Sequence, residues 1–241
     1  MPAIATLAPN TPAATSQRVD LYGAIHKALR LFMTDTLVRV GSIDTDDAAE
    51  TASALAQLDS LLVVCRQHLA KENKFVHPAI EACNPGASER VAAEHDDHLD
   101  AIAALHADAA ALRALPTAPA AQRLYRHLAS FVADNFVHMN VEESQHNAAL
   151  WAAYGDGELL EIHHRILASI DPAEMATVLR WMVPAMSPAE RAAMLGQMQQ
   201  QMPPEAMRGV LAIVRPHLDA AAWDKLARAL RIPQPAAWAA A

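Results

Sequence analysis

Two stretches of the chain carry the same pair of side chains at the same spacing. His68 stands four residues before Glu72, and His138 stands four residues before Glu142. On an α-helix that spacing stacks an imidazole and a carboxylate on one face. In both stretches the face is apolar, marked by Leu58, Leu61, Leu62, Cys65, Leu69 and Val76 in the first. Leu124, Leu128, Phe131, Asn135 and Ala149 mark it in the second. A glutamate buried there without a partner is costly, so each pair reads as part of a ligand set for a cation. Two more histidines fall on apolar faces: His26, in line with Tyr22, Leu29 and Met33, and His95, in line with Leu99, Ile102 and Leu105. Four imidazoles and two carboxylates without a thiolate suit two first-row metal ions bridged by the carboxylates. Iron or manganese fits such a set better than a structural zinc site, which draws on cysteine.

The elements that must position these groups are helices. The chain has 241 residues, 53% of them hydrophobic, and only 5% aromatic. Alanine supplies much of the apolar share while β-branched and aromatic residues are sparse, which favours helix over sheet. Turn signals at Gly41-Ser42-Ile43-Asp44, Asn84-Pro85-Gly86 and Pro116-Thr117-Ala118-Pro119 separate four long segments of helical period. These run over about 18–40, 46–82, 88–115 and 119–153, with Asp44 or Thr45, Ser88 and Pro119 as expected helix starts. Four long amphipathic helices with short connections predict an all-α, antiparallel up-down-up-down four-helix bundle. Each of the four would direct at least one histidine into the core.

Gly155-Asp156-Gly157 marks a boundary between a bundle over 18–156 and an extension over 157–241. Residues 1–17 read as a loose tail without the basic start and apolar run of a signal peptide. In the extension, starts near 171, 187, 203 and 219 recur every 16 residues, which predicts a C-terminal array of short helices. Seven of the ten methionines fall there, with Met194, Met198 and Met202 on one face. That face reads first as packing, and second as a groove for a protein partner.

With those residues in view, the chain resembles the hemerythrin-like proteins of the bacterial His-His-Glu cation-binding (HHE) family. The resemblance rests on Tyr22-Gly23-Ala24-Ile25-His26, on His68-Leu69-Ala70-Lys71-Glu72 with Asn73 to Pro78 after it, on Glu94-His95-Asp96-Asp97-His98, and on His138-Met139-Asn140-Val141-Glu142-Glu143. It covers about 18–154. It implies a non-haem di-iron centre in which His26, His68, His95 and His138 are terminal ligands and Glu72 and Glu142 bridge two iron ions, iron ahead of manganese or zinc. The oxygen-carrying hemerythrins use a His-x-x-x-His pair on the third helix. Here His95 is followed four residues on by Leu99, and His98 pairs with Glu94 on another face unless the helix is rotated to make it a fifth histidine ligand. Fewer protein ligands leave open metal positions, which favours reaction with O2, NO or peroxide over reversible carriage.

The other histidines are assigned outside the ligand set. His77 lies about half a helical rotation from His68 and is expected at the surface. His106 and His127 are three turns along the axis from His95 and His138. His146 and Asp134 are candidate orienting groups around His138. Glu143-x-x-His146 and Glu161-x-x-His164 have ferritin-like spacing, but the two further glutamates which that fold needs are not visible. Cys65 reads as an inert core residue.

The functional expectation is a metal protein that binds or responds to O2, NO or peroxide, in sensing or in protection against redox or nitrosative stress. An oxygen-activating or peroxide-reducing enzyme at the same centre is the alternative. A metal-braced interaction module working through the C-terminal helices is the third reading. A net charge of −8 argues against nucleic acid or an anionic membrane as partner. Two cysteines without a Cys-x-x-Cys pair, and no uninterrupted apolar run near eighteen residues, fit a cytoplasmic protein.

Overall fold

The computed structural model describes residues 18–232; the expected tail over residues 1–17 lies outside them. The described chain is all-helical. Its long helices are α1 (Gly23–Gly41), α2 (Ala48–Lys71), α4 (Glu89–Ala114) and α5 (Ala118–Val141). They pack in the cyclic order α1, α2, α4, α5 and back to α1, the adjacency of an up-down-up-down bundle. Leu29, Phe32, Met33, Leu55, Leu58, Leu61, Leu62, Ile102, Leu105, Leu112, Leu124 and Leu128 fill the core between them.

Local chemistry sets the helix starts, with two departures from the sequence expectation. α2 is capped by Asp47, whose carboxylate accepts from the backbone N–H groups of Ala49 and Glu50, rather than by Asp44 or Thr45. Ser88 precedes α4 but spends its hydroxyl on Glu81 Oε1 at 2.6 Å, and makes no capping bond. Thr117 caps α5 through the N–H of Ala120, with Pro119 in the first turn as expected.

α2 and α5 do not stop at the last α-helical turn. Each passes into a single π turn, Glu72–Val76 and Glu142–His146, and resumes as α3 (His77–Cys83) and α6 (Asn147–Ala153). The two π turns begin on the two glutamates. α7 (Asp156–Ala168) then lies across this end of the bundle, where Tyr22, Val76, Ile80, Leu150, Leu159 and Ile162 form a small apolar cluster. The segment before α1 is strapped to the same end: Arg18 bonds Asp156 Oδ1 at 2.7 Å and the carbonyls of Trp151 and Tyr154, and Trp151 Nε1 donates to Val19 O.

The remaining helices, α8 (Pro172–Ala185), α9 (Pro188–Gln201), α10 (Pro204–Val214) and α11 (Ala220–Ala229), begin at the sixteen-residue interval read from the sequence. Asp171, Ser187 and Asp219 cap three of them. They share a second core of Leu179, Val183, Leu195, Met207, Val210, Trp223 and Leu226, against which Met175, Met194, Met198 and Met202 pack. The methionine face is therefore engaged in that core. The array sits on α1 through α8, where Trp181 stacks on Phe32 with ring centroids 4.0 Å apart. Ion pairs Lys27–Glu190 and Lys71–Glu174 flank the stack.

Across α2 and its continuation, Ala48–Cys83, an eighteen-residue window reaches a mean hydropathy of 1.2 and is by length and composition able to cross a membrane. Its leucines are the ones that fill the bundle core.

Candidate metal centre

All six residues singled out by spacing converge at one level of the bundle. His26, Glu72, His95, His138 and Glu142 are buried, and His68 keeps 11% of its side chain exposed. Their donor atoms form two overlapping sets in which every atom lies within 4.8 Å of the others: His26, His68, Glu72 and Glu142, and Glu72, His95, His138 and Glu142. The two carboxylates belong to both.

Each carboxylate divides its oxygens between the sets. Glu72 Oε1 is 3.1 Å from His68 Nε2 and 3.7 Å from His26 Nε2, while its Oε2 is 3.5 Å from His95 Nε2. Glu142 Oε2 is 3.4 Å from His26 Nε2, while its Oε1 is 3.4 Å from His138 Nε2. His95 Nε2 and His138 Nε2 stand 3.1 Å apart. Donors bound at about 2.0–2.1 Å to one ion lie roughly 3.0–3.4 Å from each other, so several of these spacings are those of a coordination sphere.

The atoms in the middle are orphans. Nε2 of His26 and His68 and all four carboxylate oxygens of Glu72 and Glu142 are buried without a hydrogen-bond partner among the described residues. Buried polar atoms are ordinarily paired, and a carboxylate denied water and partner costs several kcal/mol (about 2–7 even for a neutral polar group). A cation at each set would pair them all. The residues present fit a metal.

The outward nitrogens of His26, His95 and His138 are held. His26 Nδ1 faces Glu143 Oε1 at 3.0 Å, His95 Nδ1 faces Asn73 Oδ1 at 2.7 Å, and His138 Nδ1 faces Glu94 Oε2 at 2.8 Å. These oxygens can only accept, so each Nδ1–H donates outward and each Nε2 turns its lone pair inward. Arg30 grips both oxygens of Glu143, and Arg90 bonds Glu94. That arrangement fixes the imidazole tautomer and raises ligand basicity.

A family model, that of the hemerythrin HHE cation binding domain, matches residues 18–150, more than half of the chain. The chain belongs to the hemerythrin HHE family. Neither the curated proteins nor the solved structures offer a match. As in the family's name, a buried cluster of His and Glu able to hold metal is what the helices assemble.

The electrostatics of the HHE cluster are those of charges forced together. Burial, and then the charge of Glu142, push the Glu72 carboxyl up. Burial also raises Glu142, but the His138 and His95 imidazoles, whose Nε2 atoms lie 3.4 and 3.8 Å from its Oε1, outweigh it and hold it well below the usual range. Burial lowers His26, yet its hydrogen bond to Glu143, the nearness of Glu72 and the charges of both buried glutamates leave it at about 9. His68 has no outer acceptor among the described residues, and burial followed by the charge of His26 drives it well down. Cys65 is buried in the bundle core with its thiol pushed up to about 12, the inert core residue expected.

Three positions differ from the sequence reading. His77, expected at the surface, is buried, because the π turn between it and His68 takes up one extra residue and rotates the following helix by about 100°. His98 is buried and Leu99 is 37% exposed. Apart from Asp108, the buried positions of α4 run Val91, His95, His98, Ile102, Leu105, Ala109 and Leu112, the alternating three-and-four spacing of a coiled-coil seam. His98 packs against His138 with ring centroids 4.7 Å apart but falls in neither four-residue set, and Glu94 bonds His138 instead of pairing with it. Asp134 is exposed, so it orients nothing in the core.

Asn73, Glu94 and Glu143, the groups that do orient the histidines, were not found from the sequence. Each is adjacent to a ligand-type residue in the chain but serves a histidine on another helix. His106 pairs with Asp59 and His127 with Asp108, far from the centre as expected.

Proposed function

We propose that this HHE bundle binds two iron ions and reacts with a small oxidant or diatomic, namely O2, NO or peroxide. His26 and His68 would be terminal ligands of one ion, His95 and His138 of the other, and Glu72 and Glu142 would bridge them. The observation that carries this reading is the division of both carboxylates between the two histidine pairs. Two separate mononuclear sites would have no need of shared glutamates. Bundles that place carboxylates and histidines from facing helices in their core are built for paired iron or manganese. The donor set, hard oxygen with borderline nitrogen, has no thiolate to prefer zinc or copper(I).

Two histidines and two shared carboxylates per ion leave positions open to an exogenous ligand, and iron there would supply one-electron redox chemistry toward it. The protein's own part is to hold the tautomers through Glu143, Asn73 and Glu94, to keep the centre dry, and to admit only small molecules. His68, with its partial exposure and no outer acceptor, marks the side of the cluster nearest solvent. Such a centre serves sensing or stress protection; turnover of a reducible substrate would make it an enzyme.

Metal analysis of protein loaded anaerobically with Fe(II), with absorption spectra before and after O2, tests the reading. The expected result is at least two iron ions per chain and new near-ultraviolet and visible absorption on exposure to O2. His68→Ala and Glu142→Ala should each lose iron. Stoichiometric zinc in preference to iron with a featureless spectrum, or full iron retention in both variants, would overturn it.

A further inference from the structure

The bundle holds a third convergence of donors that the two-ion centre leaves unused. Ligand atoms of His77, Glu142 and His146 lie within 4.8 Å of one another, and all three residues are buried. His77 is 6% and His146 2% exposed, and Nε2 of each has no hydrogen-bond partner among the described residues. Their rings meet edge to face with centroids 5.6 Å apart. His77 also stacks on His95 at 4.9 Å, so the group adjoins the larger cluster at the end closed by α7.

His146 is presented in the way the candidate ligand histidines are. Its Nδ1 contacts the Tyr22 hydroxyl at 3.1 Å, and Tyr22 is 1% exposed. An oxygen on the outer nitrogen and an inner nitrogen turned into the cluster is the pattern of His26 with Glu143, His95 with Asn73 and His138 with Glu94. The backbone supports the same conclusion. Each π turn starts on a glutamate of the centre, and between them they bring His77 and His146 to one point. π turns are rare and occur mostly at functional sites. Two core imidazoles with orphaned nitrogens carry a desolvation cost that leucine or phenylalanine would avoid.

We infer that His77, His146 and Glu142 form a third binding site, for a divalent first-row metal ion, beside the two-ion centre. The inference rests on the two-ion reading only in that Glu142 is shared. An ionised carboxylate offers about four lone-pair positions, enough to serve a third ion while bridging two. Two imidazoles and one carboxylate are a set that both iron(II) and zinc accept, with positions left open. Tyr22 is the positioning residue, acting on the ion through His146.

Crystals of the full chain soaked separately in Fe(II) under nitrogen and in Zn(II), with diffraction at each metal's absorption edge, locate the ions directly. A peak bounded by His77, Glu142 and His146 is expected, together with two peaks in the four-residue sets and three ions per chain in solution. His77→Phe and His146→Leu should each lower that number by one. Tyr22→Phe should weaken the third ion by about 10- to 100-fold while leaving the other two in place. Two ions in the four-residue sets, with no density near His146 Nε2 and the same count in the variants, would overturn the inference and leave the two-ion reading standing. A peak at His146 with none between the four-residue sets would uphold the third site and overturn the two-ion reading.

Discussion

Glu143 stands outside the ligand cluster, yet its Oε1 lies 3.0 Å from Nδ1 of His26 while Arg30 holds both its oxygens. The pair decides which nitrogen of His26 faces inward. A carboxylate accepts the Nδ1 proton, so the Nε2 lone pair is free for a cation, and the arginine prevents the carboxylate from swinging away. Glu143→Gln keeps the shape but can present an N–H where an acceptor is needed. Chelator competition is expected to show metal affinity weakened by about 10- to 100-fold, with helical content unchanged. Affinity equal to that of the parent would remove Glu143 from any orienting role.

Glu72 and Glu142 share one dry space, and burial together with the charge of Glu142 favours the neutral form of Glu72 when no cation is present. Glu72→Gln, uncharged and of the same shape, relieves that conflict. The metal-free variant is expected to be as stable as the parent or more so, by up to about 1 kcal/mol, because the group removed is a carboxyl whose charged form burial already disfavours. Metal uptake should move the opposite way, with fewer than two ions retained after gel filtration. Thermal melts with and without chelator check both signs. A metal-free variant well below the parent would mean that the carboxylate is structural.

The helices and the six convergent residues were legible because both follow from local spacing. His-x-x-x-Glu on an apolar face names its own neighbours, and Asp171, Ser187 and Asp219 announce their helices as caps. His77 was not legible, since constant rotation at about 100° per residue is the assumption that the π turn at Glu72 breaks. His98 was assigned to another face unless the helix is rotated, for a related reason: α4 follows the coiled-coil seam, so the residue three after His95 is inside and the residue four after it is out. Asn73, Glu94 and Glu143 act across helices, and no spacing within one helix reports a partner on another.

Glu190 caps α9 and also bonds Lys27 on α1, tying the C-terminal array to the bundle. Those hydrogen bonds, from Lys27 first and then Ser187, hold its carboxyl at about 2. A depressed folded-state value means that the stabilisation is complete above the ordinary carboxylate value of 4.5 and is lost as pH falls toward 2. The pair is exposed, so the effect is under about 1 kcal/mol. Urea denaturation of parent and Glu190→Gln should differ at pH 6 and converge near pH 2.5. A gap that persists in acid would show that charge is not what Glu190 contributes.

Trp181 belongs in sequence to the C-terminal array but stacks face to face on Phe32 of α1, 12° from parallel, within the packing of the bundle core. The contact ties α8 to the bundle core. Trp181→Ala removes the stack and the area it buries, which is expected to cost about 1–2 kcal/mol and to free α8–α11 for limited proteolysis. None of the candidate ligands lies on α8–α11, so metal content should stay at the parent value. Lys71, one residue before Glu72, is the point where that expectation is exposed to failure, because its partner Glu174 is carried on α8. Metal lost together with the array would make the Lys71–Glu174 pair, and hence the C-terminal helices, part of what holds the π turn at Glu72 in place.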